Sequence, residues 1–197
     1  MRNSHKYIEL TLLLLFVFTS GIACSNKQVT KTDTITTSKA NPKSAVMDEN
    51  EFWNIISMFD WKYEGDDDKV VGKAINYLSQ KSNEDIYKFE EILSKLLYDL
   101  DGIEYAKNIG EDSYKDENTH FSVDWFLYTR CVVVANGKDY YNKVIKDPVQ
   151  MPKDMEFEAL LYIADDAYQK KNNAEFDYIS KYNYETFSNK EKWRNQY

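Results

Sequence analysis

Apolar residues along this chain recur mostly at helical spacing. Asp48-x-x-Glu51 has the form of a capping box and precedes Phe52, Trp53, Ile55, Ile56 and Phe59, which predicts a first helix. Lys62 to Asp68, with Gly65, interrupts the pattern. Val70, Val71, Ala74, Ile75 and Leu78 then form a second helical stripe. Ser82 to Asp85 opens a third. Its stripe of Ile86, Phe89, Ile92, Leu93, Leu96, Leu97, Leu100 and Ile103 falls within about 140° of one face. Gly102 costs about 1 kcal/mol there relative to Ala, which predicts a kink or an early end. Asn108 to His120 is polar and reads as a loop. Ser122 caps a fourth helix, Val123 to Ala135, closed by Asn136-Gly137. A short fifth helix follows Gly137 and stops before Pro148. Pro152 and Asp154 open a sixth, with Phe157, Leu160, Leu161, Ala164 and Tyr168 on one face, broken at Asn172-Asn173. The tail from Glu175 is tyrosine-rich, with a capping signal at Ser188 to Glu191. No segment alternates with period two, and no internal repeat is visible. The expected fold is a single compact all-α domain of six or seven helices over residues 47–197.

The chain ahead of that domain has a different character. Arg2 and Lys6 precede an apolar run, Leu10 to Phe18, too short to span a bilayer, which needs about 20 residues. Small residues then lead to Cys24. A basic start, a short apolar core and small residues describe a secretory signal peptide. Gly21-Ile22-Ala23-Cys24 resembles the lipobox of bacterial lipoproteins, in which the Cys thiol takes a diacylglyceryl group before cleavage. It departs from that pattern at Gly21, where Leu is usual, and Glu9 is an unusual charge beside the apolar run. Residues 1–23 are therefore expected to be a lipoprotein signal and Cys24 the lipidated residue, anchoring the protein to the cell envelope. Ser25 stands where an Asp would mark inner-membrane retention, which points to the outer membrane in a diderm source. Residues 24–46 hold many Thr, Ser and Lys and no aromatic residue, the composition of a flexible tether with an end-to-end distance of roughly 25 Å.

Charge narrows the partners. Of 25 basic and 33 acidic side chains, six basic and two acidic ones precede Met47. The domain keeps 19 against 31, a net charge of −12. Phosphate neutralisation needs clustered Lys and Arg, so nucleic acid is excluded as the expected partner. A basic protein or peptide is the functional reading of this charge, and a solubilising surface the plainer one.

Little in the sequence has the form of a catalytic centre. After signal removal His120 is the only histidine, and with one lipidated Cys and Cys131 no zinc site is expected. Cys131 falls in an apolar helix and reads as a core residue. No nucleophile elbow, phosphate-binding loop or dinucleotide fingerprint occurs, so no cofactor is expected. Asp66-Asp67-Asp68 lacks the spacing of a calcium loop and suits a helix N-terminus.

Ordered matches then appear along the domain: Phe52-Trp53-x-Ile55-Ile56, Leu78, Ile86-x-x-Phe89, Tyr98-Asp99-Leu100 and Ala106. Asp124-x-Phe126-x-Tyr128-x-Arg130, Val133-Val134-x-x-Gly137, Tyr141, Asp147-Pro148 and Glu158-x-Leu160-x-Tyr162-x-Ala164-x-x-Ala167-Tyr168 follow. This set resembles the bacterial domain-of-unknown-function 4240 family (DUF4240) over roughly Met47 to Lys171. The resemblance implies a fold and no mechanism. The family's Gly-Cys-Ser-Asp-Asp stretch is replaced here by Asp116 to Val123, with only Asp124 kept. Thr129 and Val132 stand where the family has Phe and Trp.

Arg130 is the most informative single residue. The helix around it is apolar on nearly every side, so it is expected to be buried, and a buried charge requires a partner. Glu158, then Asp99, then Glu104 are the expected carboxylates of a structural ion pair. The sequence thus favours a lipid-anchored helical binding module of the cell envelope. The alternatives are an envelope enzyme using carboxylates such as Asp99, Asp124 and Glu158 with Arg130, or an immunity-type protein that neutralises a basic toxin.

Overall fold

The structure is a computed structural model and describes residues 47–194. The expected signal peptide (1–23), Cys24 and the tether (24–46) lie outside the described residues. The eight α-helices among the described residues are α1 (Glu49–Ile56), α2 (Asp67–Leu78), α3 (Asn83–Asp99), α4 (Ile103–Ala106), α5 (Val123–Ala135), α6 (Lys138–Lys146), α7 (Ile163–Asn172) and α8 (Lys190–Arg194). No strand occurs among these residues, and six of the helices are long enough to contribute a packed face. The domain is all-α.

Side-chain caps set the starts of α1, α2, α3 and α5. Asp48 accepts from the Glu51 N–H at 3.0 Å, and Ser122 from the Trp125 N–H at 3.2 Å. Ser82 and Asp85 close a reciprocal capping box, with both hydrogen bonds at 3.1 Å. Asp66 caps α2 through the Lys69 N–H, which gives the aspartate run its place. Each such cap contributes about 1 kcal/mol.

Helix α3 ends at Asp99 with Leu100 as its C-cap, and Gly102 is the N-cap of α4, so the stripe stops before the glycine. A Cβ on Gly102 would lie only 2.7 Å from the Cβ of Lys192, so glycine also admits the C-terminal segment. At the other end of the core, α5 is buried along almost its whole length and packs on α3, α6 and a 3-10 turn at Glu158–Tyr162. Helix α7 packs on α2 and α3.

The sixth expected helix starts later than its sequence pattern suggests, at Ile163 rather than Pro152. Three bonds hold the preceding backbone out of helical geometry. The Asp154 N–H donates to the Ile109 carbonyl at 3.0 Å, the Phe157 N–H to the Tyr128 carbonyl at 3.2 Å, and Thr129 Oγ1 to the Met155 carbonyl at 2.9 Å. Asp154 itself has a left-handed φ of 53°.

Residues 174–189 contain neither helix nor strand, yet they form a strap running along α3. Tyr178 stacks on Tyr87 with centroids 4.6 Å apart, and its hydroxyl donates to Glu91 at 2.7 Å. The Lys181 N–H donates to the same carboxylate at 3.0 Å. Further on, Asn189 Nδ2 donates to the Tyr98 carbonyl at 3.1 Å, and the Lys192 ammonium donates to the Asp99 carbonyl.

Candidate functional site

Arg130 projects from the middle of α5 and is completely buried. One terminal nitrogen donates to the carbonyls of Leu97 and Tyr184, each at 2.9 Å, and the other to Thr186 Oγ1 at 3.0 Å. Nε has no hydrogen-bond partner among the described residues. The guanidinium carbon lies 4.7 Å from the Phe126 ring centroid. Burial lowers the guanidinium pKa to about 10, and the charge of Asp101 opposes that shift.

These hydrogen bonds correct the expected ion pair. The Glu158 carboxylate accepts from the Tyr128 hydroxyl at 3.0 Å and from the Tyr162 hydroxyl. Asp99 pairs with Lys95 at 2.5 Å along the outside of α3. Glu104 lies exposed on α4. The strap supplies neutral acceptors to Arg130, while the countercharge comes from Asp101, which is also fully buried. Asp101 accepts from the Phe187 N–H at 3.2 Å, the Asn189 N–H at 2.8 Å and the Trp193 indole at 2.7 Å. Asp99, Arg130 and Glu158 therefore have separate hydrogen-bond partners, and Asp124 is exposed in the first turn of α5. Cys131 is buried, and desolvation pushes its thiol up to about 12, unsuited to nucleophilic work. His120 is exposed. Among the described residues, no group of three or more His, Cys, Asp or Glu is placed to hold a metal ion.

The concave surface with the most distinctive chemistry lies elsewhere, around Trp61. This tryptophan begins a 3-10 turn, Trp61–Tyr63, and is 45% exposed. Its ring contacts Phe157 at 5.2 Å and Phe59 at 5.9 Å between centroids. Asp60 pins the turn. Its N–H donates to the Val70 carbonyl at 3.0 Å, and its carboxylate pairs with Lys73 at 2.8 Å and Lys62 at 3.1 Å. The hydrogen bonds from Lys73 and Lys62 hold the Asp60 carboxyl below the usual carboxylate range.

Two hollows of about 400 Å³ share Trp61 and Asn136 in their walls. One is lined by Val132, Met155 and Phe157 and edged by Glu64, Asp67 and Glu156. The other is lined by Trp53, Ile56, Phe59 and Ala135, with Lys138 and Asp139 at its edge. Asn136 caps the end of α5, where its Nδ2 donates to the Val132 carbonyl at 2.8 Å.

A family model described as a protein of unknown function (DUF4240) matches residues 47–170. The chain belongs to the DUF4240 family. No curated protein and no solved structure matches it. The cleft residues and Arg130 all fall within the DUF4240 match, whereas the strap lies beyond its end.

Sequence reasoning missed the cleft of this DUF4240 domain. Its walls come from residues 53–67, 132–139 and 155–157, which only the fold brings together. The available signal was local: two large aromatics, Trp61 and Tyr63, stand in a loop that otherwise reads as polar.

Proposed function

We propose that this protein is a non-catalytic binding module of the cell envelope, lipid-anchored through Cys24, whose partner is a basic protein or peptide. The observation that carries this reading is the engagement of Arg130, Asp99 and Glu158 in separate structural contacts. The charged groups that an enzyme reading would gather at one site are thereby engaged apart from one another. What the surface offers instead is an aromatic cleft with three carboxylates at one edge, on a domain of net charge −12. The signal-like N-terminus supports the anchor, and Ser25 supports the outer membrane in a diderm cell.

Two measurements test the reading. Cys24→Ser is expected to abolish incorporation of a palmitate analogue and to move the protein to the soluble fraction; equal labelling of both forms defeats the anchor. The full chain in detergent is expected to bind hexalysine and not hexaglutamate in calorimetry. Failure to bind hexalysine, or turnover of envelope polysaccharide, would replace the module with another function.

A further inference from the structure

We infer that the cleft at Trp61 is a receptor for an arginine side chain of the partner, with an adjoining apolar side chain seated in the second hollow. This rests on the proposed reading and assigns it a site. Trp61 presents a half-exposed indole on a turn already fixed by Asp60, so little ordering is required on binding. Glu64, Asp67 and Glu156 make no ion pair or side-chain hydrogen bond among the described residues. Neighbouring acids do: Asp60 is paired with Lys73, Asp66 with Lys69, and Glu49 with Lys138. No lysine or arginine lines the hollow that these three carboxylates edge.

Helix geometry adds to the charge. The C-terminal end of α5 reaches the cleft at the carboxylate-edged hollow, through Asn136, and that of α1 reaches it at the second hollow, at Ile56 to Ser57. Helix C-termini carry partial negative charge and favour a cation. The N-termini of α2 and α6 also reach it, but their first turns carry Asp67, Asp68 and Asp139. Arginine suits the site better than lysine, because a flat, weakly hydrated guanidinium stacks on an indole face while donating to several carboxylates. Asn136 Oδ1 remains as an acceptor for a peptide N–H beside both hollows, since only Nδ2 is committed. The apolar lining of the second hollow, Trp53, Ile56 and Phe59, fits the neighbouring side chain of such a peptide.

The test is calorimetric titration of the full chain in detergent with N-acetyl-phenylalanyl-arginine amide and its citrulline analogue, which keeps the shape and removes the charge. The arginine peptide is expected to bind and the citrulline peptide to bind about tenfold more weakly. The triple change Glu64→Gln, Asp67→Asn and Glu156→Gln is expected to cost about tenfold, and Trp61→Ala about fivefold. The control, Glu117→Gln with Glu175→Gln and Glu191→Gln, alters exposed acids elsewhere and is expected to stay within about twofold. All these side chains are exposed, and unchanged circular dichroism will show that each variant folds. Equal losses in the cleft and control variants would overturn the site and leave the basic-partner reading standing. Hexalysine binding without dipeptide binding would do the same. No binding of either cation would overturn both. Binding of chitotetraose that depends on Trp61 and ignores the arginine peptide would replace the receptor with a saccharide site.

Discussion

Arg130 shows how far a single side chain can be read before a structure exists. Its burial follows from an apolar run that leaves no solvated face on α5. Its partners do not follow, because backbone carbonyls carry no residue-specific signature, and those of Leu97 and Tyr184 come from segments on either side of α5 in the sequence. Arg130→Ala should leave these acceptors unmatched and Asp101 without its countercharge, at a cost of about 3–5 kcal/mol in urea melts. Arg130→Lys should recover only part of that, since one ammonium cannot reproduce the fork. Wild-type stability of the alanine variant would mean that neither burial nor bonding at this position matters. Glu90 makes the complementary case for an acid. It is buried beside the Ser94 hydroxyl, which donates to it at 3.0 Å, and desolvation raises its carboxyl from 4.5 to about 6. The folded state therefore binds a proton more tightly than the unfolded chain does. Glu90's contribution is full below pH 4.5 and is lost as pH rises through 6, by about 2 kcal/mol. Glu90→Gln keeps an acceptor for Ser94, and should be more stable than wild type at pH 7 and lose the advantage near pH 4. Parallel pH–stability curves for the two proteins would refute this.

At the scale of elements, the stripes of α1, α2, α3 and α5 and their capping residues were legible because periodicity and caps are local properties. The start of α7 was not, since a bond from Thr129 and bonds to the carbonyls of Tyr128 and Ile109 override a helical pattern between Pro152 and Phe157. The strap was equally hidden. It has no period of its own and is shaped by what it covers: Phe187 adopts a left-handed φ of 72° while its N–H meets Asp101. Asp101→Asn removes the charge that gathers two strap N–H donors and the Trp193 indole of α8, and should loosen residues 184–193 while leaving α3 helical. Limited trypsin digestion is expected to cut sooner after Lys181, Lys190 and Lys192. Unchanged cleavage would show that ring contacts such as Phe187 on Trp193, 4.5 Å apart, suffice to hold the strap.

For the whole molecule, helical periodicity carried the fold class and the net charge of −12 suggested the sign of the proposed partner, but neither located the cleft. The cleft depends on three distant segments meeting, and sequence spacing does not encode that meeting. If its ligand is cationic, affinity for hexalysine should fall steeply as the Debye length shrinks from roughly 30 Å at 0.01 M salt to 3 Å at 1 M. An affinity indifferent to salt would assign the binding to apolar contact alone. The strap also sets an order of events during synthesis. The bond from Arg130 to the Tyr184 carbonyl spans 54 residues and that from Asp101 to the Asn189 N–H spans 88. A ribosome that has just released α5 has made a buried-type cation that has its Leu97 acceptor but not yet those of Tyr184 and Thr186. Its full set of hydrogen bonds cannot form until translation has run past Thr186. If the proposed export signal operates, that delay is the condition in which a secretion channel could thread the chain.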